Sequence, residues 1–530
     1  MGTADLDLDK ISDAELKAVV LQLLERVSGL EQENAALREE IARLKGLKGR
    51  PQLKPSGMEA QAASRRQTPA PRSKRRRGRK NARLRIDEEQ ILSLTAPPDS
   101  RFKGYEDYVV QDLVLRTHTI RYRRERWVTP EGQTLIAPLP PGVRGHVGPE
   151  LRRFLLAFYH RGQMTVPRLT AQLHDLGLDI SKRQVQRLLT ERQEVFLEEA
   201  EGVLRSGLAH ADWISVDDTG ARHQANNGVC TQIGNDHFAW FATTMVKSRL
   251  NFLELLQAGP PTYTINAAAL DYMRVRGATP GPIEALRSAG PACFHDETAW
   301  TAHAASLGIT ANTGSAVDPL RIATEGALWG SIDEQGLLAD TVILSDGARQ
   351  FRLGQHAQCW VHAERLIHKL EGFCDWQRQG LQRIRRRVWW LYADLKAYCH
   401  DPTPRRRTQL KQRFRRIFRT RTGFVSLDRL LARLLAHEAD LLRVLERPDV
   451  PLHTNGSEND IRCQVTRRKI SAGTRSDNGR DCRDAFLSLM KTCDKLGRSY
   501  WHYLGDRLLV PGAPQIPPLP RLVRDAAVTT

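Results

Sequence analysis

Apolar residues return at alternating steps of three and four between Val20 and Leu44. One seam position holds Val20, Val27, Asn34 and Ile41, and the other holds Leu23, Leu30, Leu37 and Leu44. This predicts a parallel two-stranded leucine zipper: branched residues at a with Leu at d favour two strands, and a single Asn at a sets the register at some cost in stability. The g and e′ positions pair Arg26 with Glu31, Glu33 with Arg38 and Glu40 with Lys45, all opposite in sign, so a homodimer is expected. From Lys48 to Arg83 the pattern is lost among Pro, Ser and Arg, which predicts a disordered basic linker. The stretch "THTIRYRRERWVTPEGQTLIAPLP" then reads as two strands around a turn at Pro130 to Gly132.

Beyond Gly148 the period becomes helical. A helix is predicted to Leu176, a turn at Gly177, and a second helix opened by Ser181 with Gln184 three residues on, a capping box. Val185, Leu188 and Leu189 form its buried stripe. Lys182, Arg183, Gln186 and Arg187 lie outside, as in a helix-turn-helix facing DNA, although helix pairs that never touch DNA share this pattern. Trp213 to Asp218, Val229 to Ile233 and Phe238 to Thr243 read as three strands of an antiparallel meander, and Thr341 to Leu344 as a later short strand. Helix rich in Arg follows, then "LHTNGSENDIR" leading into a further helix.

Charge sharpens this outline. The 530 residues hold 80 Lys and Arg against 61 Asp and Glu, a net charge of +19. The excess sits in two segments: Arg65 to Arg83, with ten basic residues and no acid, including Arg75, Arg76 and Arg77; and Arg378 to Arg421, with fifteen basic residues and two acidic ones. Such localised charge suits a polyanion or a solvated face. The basic tract follows the zipper and is broken by prolines, whereas basic-region zipper factors place it before the zipper and continuous with it. Eight cysteines without a CxxC pair argue against a zinc ribbon or a secreted disulfide framework. Cys359 and His362 have ligand-like spacing but lack further ligands, so a structural role is expected. No apolar run reaches the ~18 residues of a membrane span, and a soluble intracellular protein is expected.

The candidate chemistry lies in the carboxylates. Asp217 and Asp218 close the first meander strand, Asp346 ends the later strand, and Glu458 opens the final helix. Carboxylates from such elements can converge, which is what Mg²⁺ requires: oxygen ligands, in pairs of ions about 4 Å apart that clamp both oxygens of a phosphodiester displacement. Arg467, Arg468 and Lys469 follow as candidate phosphate contacts. "RRRVWWLY", with Trp389 and Trp390, could stack on an unpaired base or belong to a core.

With "VDDTGARH", "LSDGARQF" followed by "CWVHAERLIHKL", and "NGSENDIR" followed by "RRKISAGTRSDNGRDCRDAFLSLMKTC" in that order, the chain resembles the DDE transposases of the insertion sequence 66 family. The resemblance covers Gly142 to about Cys493. It implies an α/β multidomain protein with a ribonuclease H-like core, and Asp217, Asp346 and Glu458 as catalytic, metal-binding triad, with Asp218 the alternate for the first position. The implied cofactor is Mg²⁺, with Mn²⁺ as its substitute, and the implied reaction is cleavage and strand transfer at the ends of an insertion sequence. Implied partners are transposon-end and target DNA, a second copy through the zipper, and small accessory proteins, in a bacterial cytoplasm at the nucleoid. The sequence departs from the family in having no cysteines in the hairpin, so zinc is not expected. Asp296 and Glu297 in "CFHDETAW" imitate an acidic motif on an inserted segment.

The expected organisation is a coiled coil over residues 1–47, basic linker 48–84, hairpin module 85–145, helix-turn-helix domain 146–204, core 205–362, Arg-rich helical insertion 363–450, core 451–500 and a Pro-rich tail 501–530. Two other readings share these residues: a catalytically inactive, dimeric DNA-binding descendant of a transposase, and a nuclease of the same fold that cuts without joining.

Overall fold

The computed structural model describes residues 86–95, 97, 100–143, 145–312 and 318–529, together with residues 20, 23, 26, 27 and 29. Those five are helical, and Leu23 and Val27 are exposed. Leu30, Asn34, Leu37, Ile41 and Leu44 of the zipper pattern, and Arg75, Arg76 and Arg77, lie outside the described residues.

The predicted hairpin forms from β1 (Arg126–Val128) and β2 (Thr134–Ile136), antiparallel with Trp127 opposite Leu135. Gly132 takes φ +80 in its turn, a left-handed conformation that glycine adopts without a Cβ clash. Both strands are exposed throughout.

Four helices follow: α1 (Pro149–His160), α2 (Val166–Asp175), α3 (Lys182–Thr190) and α4 (Glu194–His210). Pro149 and Pro167 stand in the first turns of α1 and α2, where a missing N–H leaves no bond unmade. The Ser181 hydroxyl accepts from Gln184 N at 3.2 Å, so the cap expected from sequence starts α3. Leu155, Leu169, Leu173, Val185 and Leu189 bury the inner faces.

The central sheet comprises β3 (Trp213–His223), β4 (Asn226–Gly234) and β5 (Ala239–Thr244), and the later β8 (Val342–Ser345) and β9 (Gln355–Gln358). Its order is β5-β4-β3-β8-β9: three antiparallel strands, then two that run parallel to β3. The first strand is longer than its sequence suggests. Asp217 and Asp218 sit within it instead of at its end, because β3 and β4 continue to the pair His223 and Asn226. Gln224 and Ala225 make the turn at φ +48 and +64, the mirror-image geometry that matches strand twist but is normally announced by Asn-Gly or Asp-Gly. Mutual backbone bonds hold the corner, Gln224 N to Thr474 O and Thr474 N to Arg222 O.

Between β5 and β8 the chain forms α5 (Arg249–Leu256), β6 (Tyr263–Ile265), α6 (Ala267–Val275), α7 (Pro280–Ala289), β7 (Ala292–Phe294), α8 (Glu297–Ser306) and α9 (Pro319–Glu334). Asp296 is the N-cap of α8 and accepts from Ala299 N at 2.7 Å, a helix-starting role for the acid that imitated a motif.

After β9 come α10 (Trp360–His368), α11 (Asp375–His400), α12 (Pro404–Phe418), α13 (Val425–Ala436) and α14 (Glu438–Leu441). Ile384, Val388, Leu391 and Leu395 recur along one side of α11 and join Phe414, Leu427 and Trp360 in an apolar cluster separate from that of the sheet. The last helices are α15 (Asn455–Ser471), α16 (Asp477–Lys495), α17 (Tyr500–Arg507) and α18 (Leu519–Thr529). The segment read as a Pro-rich tail thus carries two helices, and Leu519 and Val523 of α18 are buried in the main cluster. No helix among the described residues is long and apolar enough to cross a membrane.

Candidate active site

Strand register brings the first two acids level. Along the parallel pair, Trp213 stands opposite Val342 and Ser215 opposite Leu344. Carried two residues further, the same offset sets Asp217 beside Asp346, on neighbours spaced about 4.8 Å apart. Alternation along β3 points Asp217 to the same face as Ser215, whose hydroxyl is hydrogen-bonded to that of Ser457 in the first turn of α15. The next residue is Glu458. Two strands and one helix start therefore carry the three acids to one end of the sheet.

The Asp217 carboxylate accepts from Asp218 N at 2.8 Å. Burial pushes its pKa up to about 7; the charges of Asp218 and Asp346 add to the rise, against the Asp218 amide and His362. Asp218, one residue on, turns to the other face, where Lys247 Nζ donates at 2.7 Å and Gln350 Nε2 at 3.1 Å. Burial also raises the Asp218 pKa, partly offset by Lys247. Asp346 is exposed just past β8 and accepts from Ala348 N at 2.8 Å. Gly347 takes φ +94 there, and a Cβ on it would lie 2.8 Å from the Gln358 side chain, so the turn needs glycine.

Glu458 is 4% exposed. It accepts from Arg365 Nη1 at 3.1 Å and lies 3.7 Å from His362 Nε2, both on α10. Burial alone would lower the His362 pKa, but Cys359, Glu458 and Asp346 together push it up to about 9. Cys359, assigned a structural role from sequence, is fully buried and accepts from the Thr454 hydroxyl at 3.5 Å; its partner in that motif, His362, reaches the acids. His362 and Arg365 carried no site role in the sequence reading. The available signal was their three-residue spacing in "CWVHAER", which puts them on one side of a helix that starts directly after β9.

The donor set suits a hard divalent cation: Asp217 and Asp346 offer oxygen atoms, and a positive ion would offset the burial, and with it the neighbouring negative charges, that raise Asp217. Gln232, opposite Asp217 in β4, is fully buried, and neither amide atom has a hydrogen-bond partner among the described residues. Glu458, held by Arg365, does not join the other two: among the described residues no three His, Cys, Asp or Glu side chains form a ready ligand cluster.

The candidate nucleic-acid contacts divide. Lys182 and Arg183 are exposed on α3, while Arg187 is paired with Glu191 at 2.9 Å. Arg467 is not a surface phosphate contact: it is 7% exposed, donates to Tyr159 O at 2.8 Å and lies 3.9 Å above the Tyr159 ring. It packs against the end of α1, where Met164 O is a second acceptor at 3.5 Å, so the contact between α15 and α1 buries it. Arg468 donates to Gly220 O, and Lys469 is exposed.

Residues 345–481 match the profile described as "Transposase IS66 family", a span that includes Asp346 and Glu458. An uncharacterized protein of Sinorhizobium fredii, y4jO, is 50% identical over 321 residues, covering 61% of this chain and 99% of that protein.

Proposed function

Because the chain belongs to the IS66 family of transposases, we propose that it is a DDE transposase that cleaves the ends of an insertion sequence and joins them to target DNA. The observation that carries this is the β3–β8 register, which extended two residues sets Asp217 level with Asp346, with Glu458 in the first turn of α15 next to the Ser457 that bonds Ser215. The strand order, three antiparallel and two parallel, supports a ribonuclease H-like core.

Asp217, Asp346 and Glu458 would hold Mg²⁺ or Mn²⁺, with Asp218 engaged by Lys247 on the other face. Bound there, the ions polarise the scissile phosphate and stabilise both the attacking and the leaving oxygen. Water attacks phosphorus, the P–O3′ bond breaks, and the products are a 3′-hydroxyl and a 5′-phosphate. That hydroxyl then attacks a target phosphate, forming a new P–O bond and releasing the target's 3′-oxygen, so no covalent enzyme intermediate is needed. Glu458 must leave Arg365 to act, and His362, 3.7 Å from Glu458 and raised by the charges of Glu458 and Asp346, offsets negative charge around the site. Lys182 and Arg183 on α3 would contact DNA phosphates, and the zipper would couple two catalytic subunits.

Purified protein incubated with labelled DNA from the gene's flanks and Mg²⁺ or Mn²⁺, wild type beside Glu458→Gln, tests this. A gel shift runs in parallel. Metal-dependent 3′-hydroxyl ends from wild type alone, followed by a joined product, are expected. Tight binding without cleavage in either metal would overturn the enzymatic reading in favour of a dimeric DNA-binding protein.

A further inference from the structure

The outer side of α11 presents an aromatic and basic stripe that the cleavage reaction does not use. At 100° per residue, Trp376, Arg383, Arg386, Arg387 and Trp390 fall within about a third of a turn. Leu381, Ile384, Val388, Leu391 and Leu395 occupy the side turned to the apolar cluster. Trp376 and Trp390 are 39% and 42% exposed, uncommon for the largest apolar side chain. The fourteen residue steps from Trp376 to Trp390 span about 21 Å at 1.5 Å per residue.

The charges along this stripe are not a salt-bridged surface. Elsewhere in the same basic segment, Arg378, Arg406, Arg407, Arg413 and Arg415 are each paired with an acid. Arg383, Arg386 and Arg387 have no ion-pair partner among the described residues, and Arg413 neutralises Asp394 at the stripe's far end. The adjacent tryptophans have different roles. Trp389 packs on the apolar cluster with the Arg385 guanidinium 5.4 Å from its ring, so it belongs to the core. Arg385 also donates to Glu364 of α10 at 2.7 Å, which ties α11 to the helix whose Arg365 holds Glu458.

We propose that this face of α11 binds an unpaired DNA strand, with Trp390 stacking on a base and Arg383, Arg386 and Arg387 tracking its phosphates. Cations beside exposed indoles are what a single strand selects: phosphates repeat about every 3.4 Å along a stacked strand, and unpaired bases expose faces that duplex stacking hides. The 21 Å stripe accommodates about six stacked nucleotides at that spacing. The inference rests on the reading of DNA as substrate and adds that α11 distinguishes opened from paired ends.

The test compares a blunt flank duplex with the same duplex carrying a single-stranded tail of about six nucleotides, containing the fluorescent base aminopurine. Full-length wild type, Trp390→Ala and Trp390→Phe are titrated in the presence of chelator, and their thermal unfolding is recorded. Wild type should prefer the tailed DNA and quench the aminopurine. Trp390→Ala should weaken tailed binding by about 5- to 100-fold, leave blunt-duplex binding and unfolding unchanged, and lose the quench, while Trp390→Phe should recover most of both. Arg386→Gln with Arg387→Gln should flatten the salt dependence by about 0.7 per lost contact on the tail. Tailed binding unaffected by Trp390→Ala, or no wild-type preference for the tail, would overturn the stripe and leave the transposase reading standing. Wild type that binds neither DNA would overturn both.

Discussion

Removing the charge of Asp217 should make the metal-free protein more stable at alkaline pH. Its folded pKa, about 7 against an ordinary 3.8, means that the folded state holds a proton which the unfolded chain has released across that interval. The stability associated with that proton is complete below pH 4, and is lost as pH rises through about 7. At 1.36 kcal/mol per pKa unit the wild type forfeits up to about 4 kcal/mol by pH 8. Asp217→Asn keeps the shape without the charge, so it should exceed wild type by about 2–4 kcal/mol at pH 8 and by less than about 1 at pH 4. Urea unfolding in chelator at pH 4, 6 and 8 reads the difference directly. Added Mg²⁺ should then stabilise wild type more than the variant, because the cation binds the charged carboxylate of the folded state. A gap that does not change with pH, or a wild type more stable than Asp217→Asn at pH 8, would refute the reasoning and mean that Asp217 is already compensated within the fold.

Arg365→Ala removes the hydrogen-bonded cation of buried Glu458 but leaves His362 3.7 Å away, so it should cost about 1.5–3 kcal/mol; the double variant with Glu458→Gln should recover most of this in the same urea assay. Gly207 of α4 packs against Phe238, and a Cβ there would lie 2.4 Å from the ring. Gly207→Ala should therefore destabilise by about 1–3 kcal/mol through overpacking, seen as a lower Tm. Ser181→Ala removes the α3 cap and should cost about 1 kcal/mol, with faster hydrogen exchange at the start of α3 and weaker duplex binding if α3 is the DNA-facing helix.

Local patterns were legible wherever one segment contained its own reason for folding. The Ser181 cap, the hairpin around Gly132 and the three strands of the meander appear within a residue or a few of where the hydrophobic period put them, except that the first strand runs five residues further, to His223, since each depends on neighbours close in sequence. The acids were legible as types: a carboxylate after an apolar strand or at the mouth of a helix is visible in one dimension. What the chain alone could not decide was which side chains meet. Asp217 shares a face with Ser215 and Ser457 while Asp218 faces Lys247, a choice made by the register of β3 against β8 and by where α15 crosses. His362 and Arg365 reach Glu458 from about a hundred residues away. Arg467 enters the interior, and Trp389 packs half-buried on the apolar cluster while Trp390 is exposed, because helix rotation against a packed layer sorts adjacent residues that composition treats alike. Periodicity is a local property of the chain, whereas electrostatic company and burial depend on distances that exist only after distant segments have packed.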